Sequence, residues 1–392
     1  MLLKLAILFS FLIMFGWYNF SSNDKSDTIN KNEIPQIIVG KKIVNTTHIS
    51  PSPHKFSLLT TEHLPTKQSE LSSNNSLLFW NIKKSNVDQT DKQLVEIDLN
   101  LLKPDNIESE FLQIPLFDKI VNIIRTQGIY RSENSFTWHG SIENKEYSTI
   151  VLTVVNDVLY GVIKLDGDTY NISPFQSGSY QIIKLKGDPV KFGDDMLVHE
   201  FLAQALDSQS GNNTIINESA ATASTTAPVI DVLMLYTAEM AIEHGNSLDA
   251  YLQNLLDITN AAYFDSGIEG HLNLRRAQQI ETAQEAELSE SFGINGAYDS
   301  LINDTFIQAL RDSVGADLVS LIRAYKGNGS CGIGGWGYSI DFLGNKELLS
   351  DSGYSVVDTG RWYISDFQYV YCQDTTFAHE IGHNLGLSHD RN

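Results

Sequence analysis

Basic residues are scarce in this chain of 392 residues: 27 Lys and Arg stand against 48 Asp and Glu, a formal charge of −21. Binding nucleic acid without regard to sequence requires Lys and Arg to neutralise phosphates, so this balance speaks against such a function. Cysteine is nearly absent as well, with only Cys331 and Cys372. A small fold held together by several disulfides is thereby excluded. Internal repeats are missing, which removes solenoids and propellers. The longest apolar run, Leu5 to Gly16, is short for a membrane span. None of the five methionines, Met1, Met14, Met196, Met234 and Met240, lies beyond residue 240.

What is present suffices for globular structure. Hydrophobic residues make up 42% of the chain, enough for at least one sizeable core, and the length suggests two or three domains. Met1-Leu2-Leu3-Lys4 followed by the apolar run reads as a secretory signal or a retained signal anchor over residues 1–20. Either form exports the remainder. Two cysteines are compatible with a reduced pair, metal ligands or one bridge, and export favours a Cys331–Cys372 disulfide. Residues 21–94, rich in Ser, Asn, Lys, Thr and Pro, read as a low-complexity spacer.

Residues 95–206 change to short β-branched runs. Thr149–Val155, Val158–Ile163, Tyr170–Ile172 and Tyr180–Leu185 are separated by turns at Asn156-Asp157 and Asp166-Gly167-Asp168, the grammar of an antiparallel meander. Small polar residues over 207–228 mark a protease-accessible linker. From 229 to 392 strands and helices alternate: strands at Val229–Tyr236, Leu272–Ile280 and Ala316–Ile322, and helices at Leu248–Phe264 and Tyr298–Val314. Such alternation implies a twisted, mostly parallel sheet flanked by helices. The whole is expected to be an α+β chain, a β-rich region followed by an α/β domain. Tyr354–Val357 is expected as a short edge strand.

The chemistry sits in His379-Glu380-Ile381-Gly382-His383-Asn384-Leu385-Gly386-Leu387-Ser388-His389-Asp390. Asp374 is a plausible N-cap for a helix from Thr375. His379 and His383 stand at i and i+4, so both imidazoles leave one face and can share a tetrahedral Zn2+. Glu380 lies beside that face, placed to deprotonate a water and later to protonate a leaving amine. Gly386 tolerates the left-handed conformation that ends the helix, which lets His389 return as third ligand.

These residues resemble the metzincin clan of zinc endopeptidases, with the extended motif H-E-x-x-H-x-x-G-x-x-H. Asp390 after the third His is similar to the adamalysin/reprolysin branch, which implies a structural role for it behind the ligands. Asp231–Thr237, Asn260–Tyr263, Gly315–Val319 and Ser330–Gly334 resemble the bacterial peptidyl-Asp metalloendopeptidase group. The resemblance implies a secreted precursor that cleaves protein or peptide substrates, with the β-rich region as a propeptide acting in cis. The charge balance speaks for no nucleic-acid partner, and membrane contact is expected only through the possible N-terminal anchor.

Members of the clan carry a methionine-containing turn beyond the third His, and here Asn392 ends the sequence three residues after it. The catalytic domain is therefore expected to be incomplete, lacking a C-terminal subdomain. The alternative function is an inactive, exported zinc-binding protein. Neither cysteine lies in the expected propeptide, so a cysteine cap on zinc is excluded by position. Asp194-Asp195 and His199-Glu200 are weak candidates for a latency ligand, and ordinary surface polarity suits them better. His139 and His271 read as structural. An Asp-directed specificity requires a cationic pocket residue, for which Arg275, Arg276, Arg323 and Arg361 are available.

Overall fold

The computed structural model describes residues 77–78, 80–83, 91–190, 196–197, 227–280, 284–327, 329–335, 338–340, 346–348, 352–365, 368–387 and 389. The expected signal, most of the linker, Asp194-Asp195, His199-Glu200 and Asp390 lie outside these residues. Among the described residues no helix is long and apolar enough to cross a membrane.

Alternating burial builds the first sheet. Its strands are β1 (Leu77–Leu78), β2 (Trp80–Lys83), β3 (Lys92–Ile97), β4 (Phe111–Leu116), β5 (Lys119–Ser132), β6 (Ser135–Ile142), β7 (Thr149–Val155), β8 (Val158–Leu165), β9 (Asp168–Pro174) and β10 (Tyr180–Lys184). Their order is β1-β4-β5-β6-β7-β8-β9-β10-β3-β2. All neighbours are antiparallel except β1 and β4. The hairpins form where expected. Asn156 and Asp157 both have positive φ, at 51° and 62°, which matches the twist of the strands that they join. One face closes over Val95, Leu112, Ile123, Trp138, Leu152 and Ile163, all at most 1% exposed.

The sheet also reaches back into the expected spacer, through β1, β2 and the start of β3. Lys92–Ile97 alternates burial with Gln93 and Val95 inside, and the polar residues at its outward positions hide that pattern in composition.

The second sheet is mixed. It contains β11 (Asp188–Pro189), β12 (Met196–Leu197), β13 (Val229–Tyr236), β14 (His271–Gln279), β15 (Leu318–Ala324), β16 (Gly332–Gly335), β19 (Tyr354–Ser365) and β20 (Gln368–Cys372). A separate hairpin joins β17 (Tyr338–Ile340) to β18 (Lys346–Leu348). β13, β14, β15 and β19 run parallel, while β16 and β20 pair antiparallel with β19. The helices are α1 (Ala238–His244), α2 (Leu248–Asp265), α3 (Glu285–Leu288), α4 (Ile294–Asn303), α5 (Thr305–Val314) and α6 (Thr376–Asn384).

Three expectations are corrected here. The single helix over 298–314 is two, because Asp304 caps α5 by accepting from the N–H groups of Phe306 and Ile307. Tyr354–Val357 is not an edge: it opens a twelve-residue strand lying between β15 and β16, and its alternation was masked by burial on both faces. β16 lies outside it, and Met196–Leu197 pairs with the far side of β16. Finally, Thr375 rather than Asp374 occupies the position before α6.

The two sheets meet through α2. Leu252, Leu255 and Leu256 face the mixed sheet. Ile258 and Ala261 face Val151 and Val162 of the antiparallel one. Within that interface the Asp257 carboxylate is 3% exposed and accepts from Arg131, Thr137 and Thr153, all of the first sheet.

Candidate metal centre

Residues at the carboxyl end of the chain build the site locally. α6 carries His379 and His383 one turn apart, and Gly386, at φ 88°, reverses the chain after it. Leu387 N–H bonds back to Gly382 O at 2.9 Å and Gly386 N–H to His383 O at 2.8 Å. That reversal returns His389 beside the other two rings. His379 Nε2 lies 3.1 Å from both His383 Nε2 and His389 Nε2. Zn–N bonds of about 2.0–2.1 Å in a tetrahedron put nitrogens about 3.3 Å apart, so the three imidazoles fit one ion. Among the described residues these three form the group with metal-ligand geometry. His383 Nδ1 lies 2.9 Å from Leu387 O, a donor position that leaves Nε2 as the ligating nitrogen.

Glu380 is wholly buried, on the side of α6 covered by β16. Glycine makes the approach possible. A Cβ at Gly332 would stand 2.1 Å from Glu380 Oε1, and one at Gly334 would stand 2.8 Å from Glu380 O and 3.2 Å from His383 Cβ. The edge strand therefore passes directly over the carboxylate and a histidine ligand. Asn384 fixes this spacing: its Nδ2 lies 2.7–2.9 Å from the carbonyls of Gly335, Ser352 and Tyr354. Sequence reading missed Gly332, Gly334 and Asn384. Alternate glycines in a strand are the available signal for the first two, since they mark close backbone approach. Asn384 leaves no such trace.

Cys331 and Cys372 are joined by a disulfide across a Cα–Cα distance of 5.4 Å. The bridge links the residue before β16 to the end of β20. Of the four arginines, Arg323 is fully buried, paired with Asp358 and donating to the carbonyls of Ser289 and Phe292, so it is engaged in holding the fold. Arg275 Nε donates to Val314 O at 2.7 Å, and Arg361 lies over the Tyr369 ring.

His139 is buried against Phe264 and lies 3.4 Å from Asp265, at the interface between the sheets. A cavity of 520 Å³ lies at the same interface, lined by Tyr160, Asn171, Glu243, His244, Tyr251, Arg361, Tyr371 and Asp374. Asp374 meets Asn171 Nδ2 at 3.4 Å, and burial pushes its carboxyl up to about 6 against the opposing pull of Lys164, Asn171 and Arg361. Burial holds His244, which meets Tyr160 Oη at 2.9 Å, down to about 4.

Comparison with known proteins bears on the second half of the chain. The family model described as Metallo-peptidase family M12B Reprolysin-like matches residues 226–392. A peptidyl-Asp metalloendopeptidase of Pseudomonas aeruginosa is 34% identical over 181 residues, which cover 44% of this chain and 27% of that protein. The chain thus spans about a quarter of the length of that relative. Among solved structures, metalloproteinase-II from Bacteroides fragilis aligns over 72% of this chain and 82% of its own, at 11% identity and a TM-score of 0.37. A chaperone–substrate complex aligns over 59% and 29% respectively, at 16% identity and a TM-score of 0.33.

Proposed function

We propose that the chain, whose residues 226–392 match the reprolysin-like M12B metallopeptidase model, is the precursor of an exported zinc endopeptidase that hydrolyses peptide bonds. The observation that carries this reading is the convergence of three imidazole nitrogens beside one buried carboxylate. His379, His383 and His389 would hold the ion, which would supply Lewis acidity to a peptide carbonyl and to a water. Glu380 takes the proton from the attacking water and delivers it to the leaving amine.

The antiparallel domain is the propeptide. It grips α2 through Asp257, and Met196–Leu197 pairs with Gly334–Gly335 over the site. Latency by occupation of that edge suits a chain whose two cysteines are already bonded to each other. The leading residues 1–20 direct export, and cleavage within 207–228 frees the catalytic half.

The test is hydrolysis of a mixed peptide library by the zinc-loaded protein and by Glu380→Gln. The substitution should lower turnover by about 10² to 10⁴ while zinc binding stays stoichiometric. Undiminished turnover in that variant would overturn the assignment. Stoichiometric zinc in the wild-type chain with no turnover after linker cleavage would favour an exported zinc-binding protein.

A further inference from the structure

β16 and β20 lie end to end along one side of β19. Cys372, Tyr371 and Val370 stand opposite Gly360, Arg361 and Trp362, and Gly332, Ile333 and Gly334 stand opposite Val357, Val356 and Ser355. Asp358 N–H donates to Cys331 O at 2.7 Å, which continues the ladder between them. The Cys331–Cys372 bridge joins the two pieces covalently. They therefore make one composite edge, of which only the β16 half lies over the metal centre.

The upstream chain is seated on both halves and runs the same way on each. Asp188 and Pro189 pair parallel with Val370 and Tyr371, and Val190 N–H donates to Tyr371 O at 2.9 Å. Met196 and Leu197 pair parallel with Gly334 and Gly335. Arg361, opposite Tyr371, and Ser355, opposite Gly334, are six steps apart along β19. Pro189 and Met196 are seven steps apart in the chain. The contact is close: a Cβ on Gly187 would come within 2.4 Å of the Tyr369 ring, and Lys186 N–H donates to Tyr369 Oη at 2.8 Å.

Backbone pairing of this kind makes little demand on sequence. Beside the β20 half stand Tyr363, Tyr369 and Tyr371, with successive ring centroids 5.5 and 6.3 Å apart, and the exposed Trp362 and Ile364. Aromatic faces add apolar contact area without specifying what lies on them.

We propose that the outer edge of β20 is a docking site for an extended segment of a polypeptide substrate. It continues the edge at β16 beyond the metal centre, and the cis strands at 188–189 and 196–197 are its placeholders. The word substrate rests on the peptidase reading above. The docking itself needs neither zinc nor turnover.

The experiment uses the full chain without zinc and a fluorescein-labelled peptide of residues 185–198, read by anisotropy. In the wild type the tethered segment competes at an effective concentration on the order of millimolar. Gly187→Val unseats it by collision with Tyr369, and Val190→Pro unseats it by deleting the N–H that Tyr371 O accepts. Either variant, with unchanged circular dichroism, should bind the peptide at least about tenfold more tightly than wild type. Adding Tyr371→Pro should remove the gain. Reduced, carboxymethylated lysozyme, an unfolded polypeptide unrelated in sequence, should displace the peptide. Equal binding in all forms overturns the proposal, as does a gain that survives Tyr371→Pro. If lysozyme fails to compete, the edge is a private clasp of this chain and the proposal also falls. None of these outcomes depends on the Glu380→Gln result, so the two readings fail separately.

Discussion

The upstream half of the chain holds the half that carries the histidine cluster at two places by different chemistry. On α2 the grip is made of side chains: the Asp257 carboxylate among Arg131, Thr137 and Thr153, and Ile258 and Ala261 against Val151 and Val162. Along β20 and β16 the pairing is backbone to backbone. A buried ion pair tolerates no substitute for its partner, because losing one member strands the other away from water. A strand edge accepts any extended chain. The first contact thus identifies its partner, and the second exchanges it.

Breaking the side-chain grip should cost most. Asp257→Ala leaves Arg131 and two threonine hydroxyls without their acceptor and should destabilise the full chain by about 3–5 kcal/mol in denaturant unfolding. Ile258→Ala, which empties part of the apolar contact, should cost about 2–4 kcal/mol.

Two cavity groups sharpen the contrast through pH. Asp374 binds its proton more tightly folded than unfolded, so its contribution is present below its ordinary value of 3.8 and is lost as pH rises to about 6. His244 does the reverse: its proton is expelled on folding, and its contribution grows from about pH 4 to 6.5. The two nearly offset each other in the wild type. Relative to it, Asp374→Asn should gain stability between pH 4 and 6.5 and His244→Gln should lose it. Each change should be on the order of 1–3 kcal/mol, followed by melting at the two pH values.

The backbone grip should be cheaper to undo. Gly187→Val, which lifts only the strand on β20, should cost about 1–2 kcal/mol, the worth of one or two hydrogen bonds. A cost equal to that of Asp257→Ala would end the distinction. As a baseline, Lys145→Ala breaks an exposed pair with Asp166 and should cost under about 1 kcal/mol.

Legibility in the sequence followed locality. The histidines, Glu380 and the left-handed Gly386 lie within eleven residues, so helix periodicity and one glycine bring the three rings together. The hairpins at Asn156-Asp157 and Asp166-Gly167 are equally local, since each turn announces itself. The composite edge was not legible, for it assembles 188–190, 196–197, 332–335 and 368–372 through groups that every residue carries. Asp257 was hidden for another reason. An amphipathic reading of α2 assigns it to the solvated face, and only the antiparallel sheet packed there shows that this face is also buried. The single helix expected over 298–314 failed because Asp304 satisfies two N–H groups of a new helix, a role that periodicity does not register.

The disulfide sets an order of events during synthesis. Cys372 lies 41 residues after Cys331, so the bridge closes only once the whole stretch between β16 and β20 has been made. Domains nearer the N-terminus fold first as a chain is made. The antiparallel sheet is therefore made before the edge formed by β16 and β20 exists. That edge assembles against a strand already waiting for it, and each new molecule begins with its groove filled.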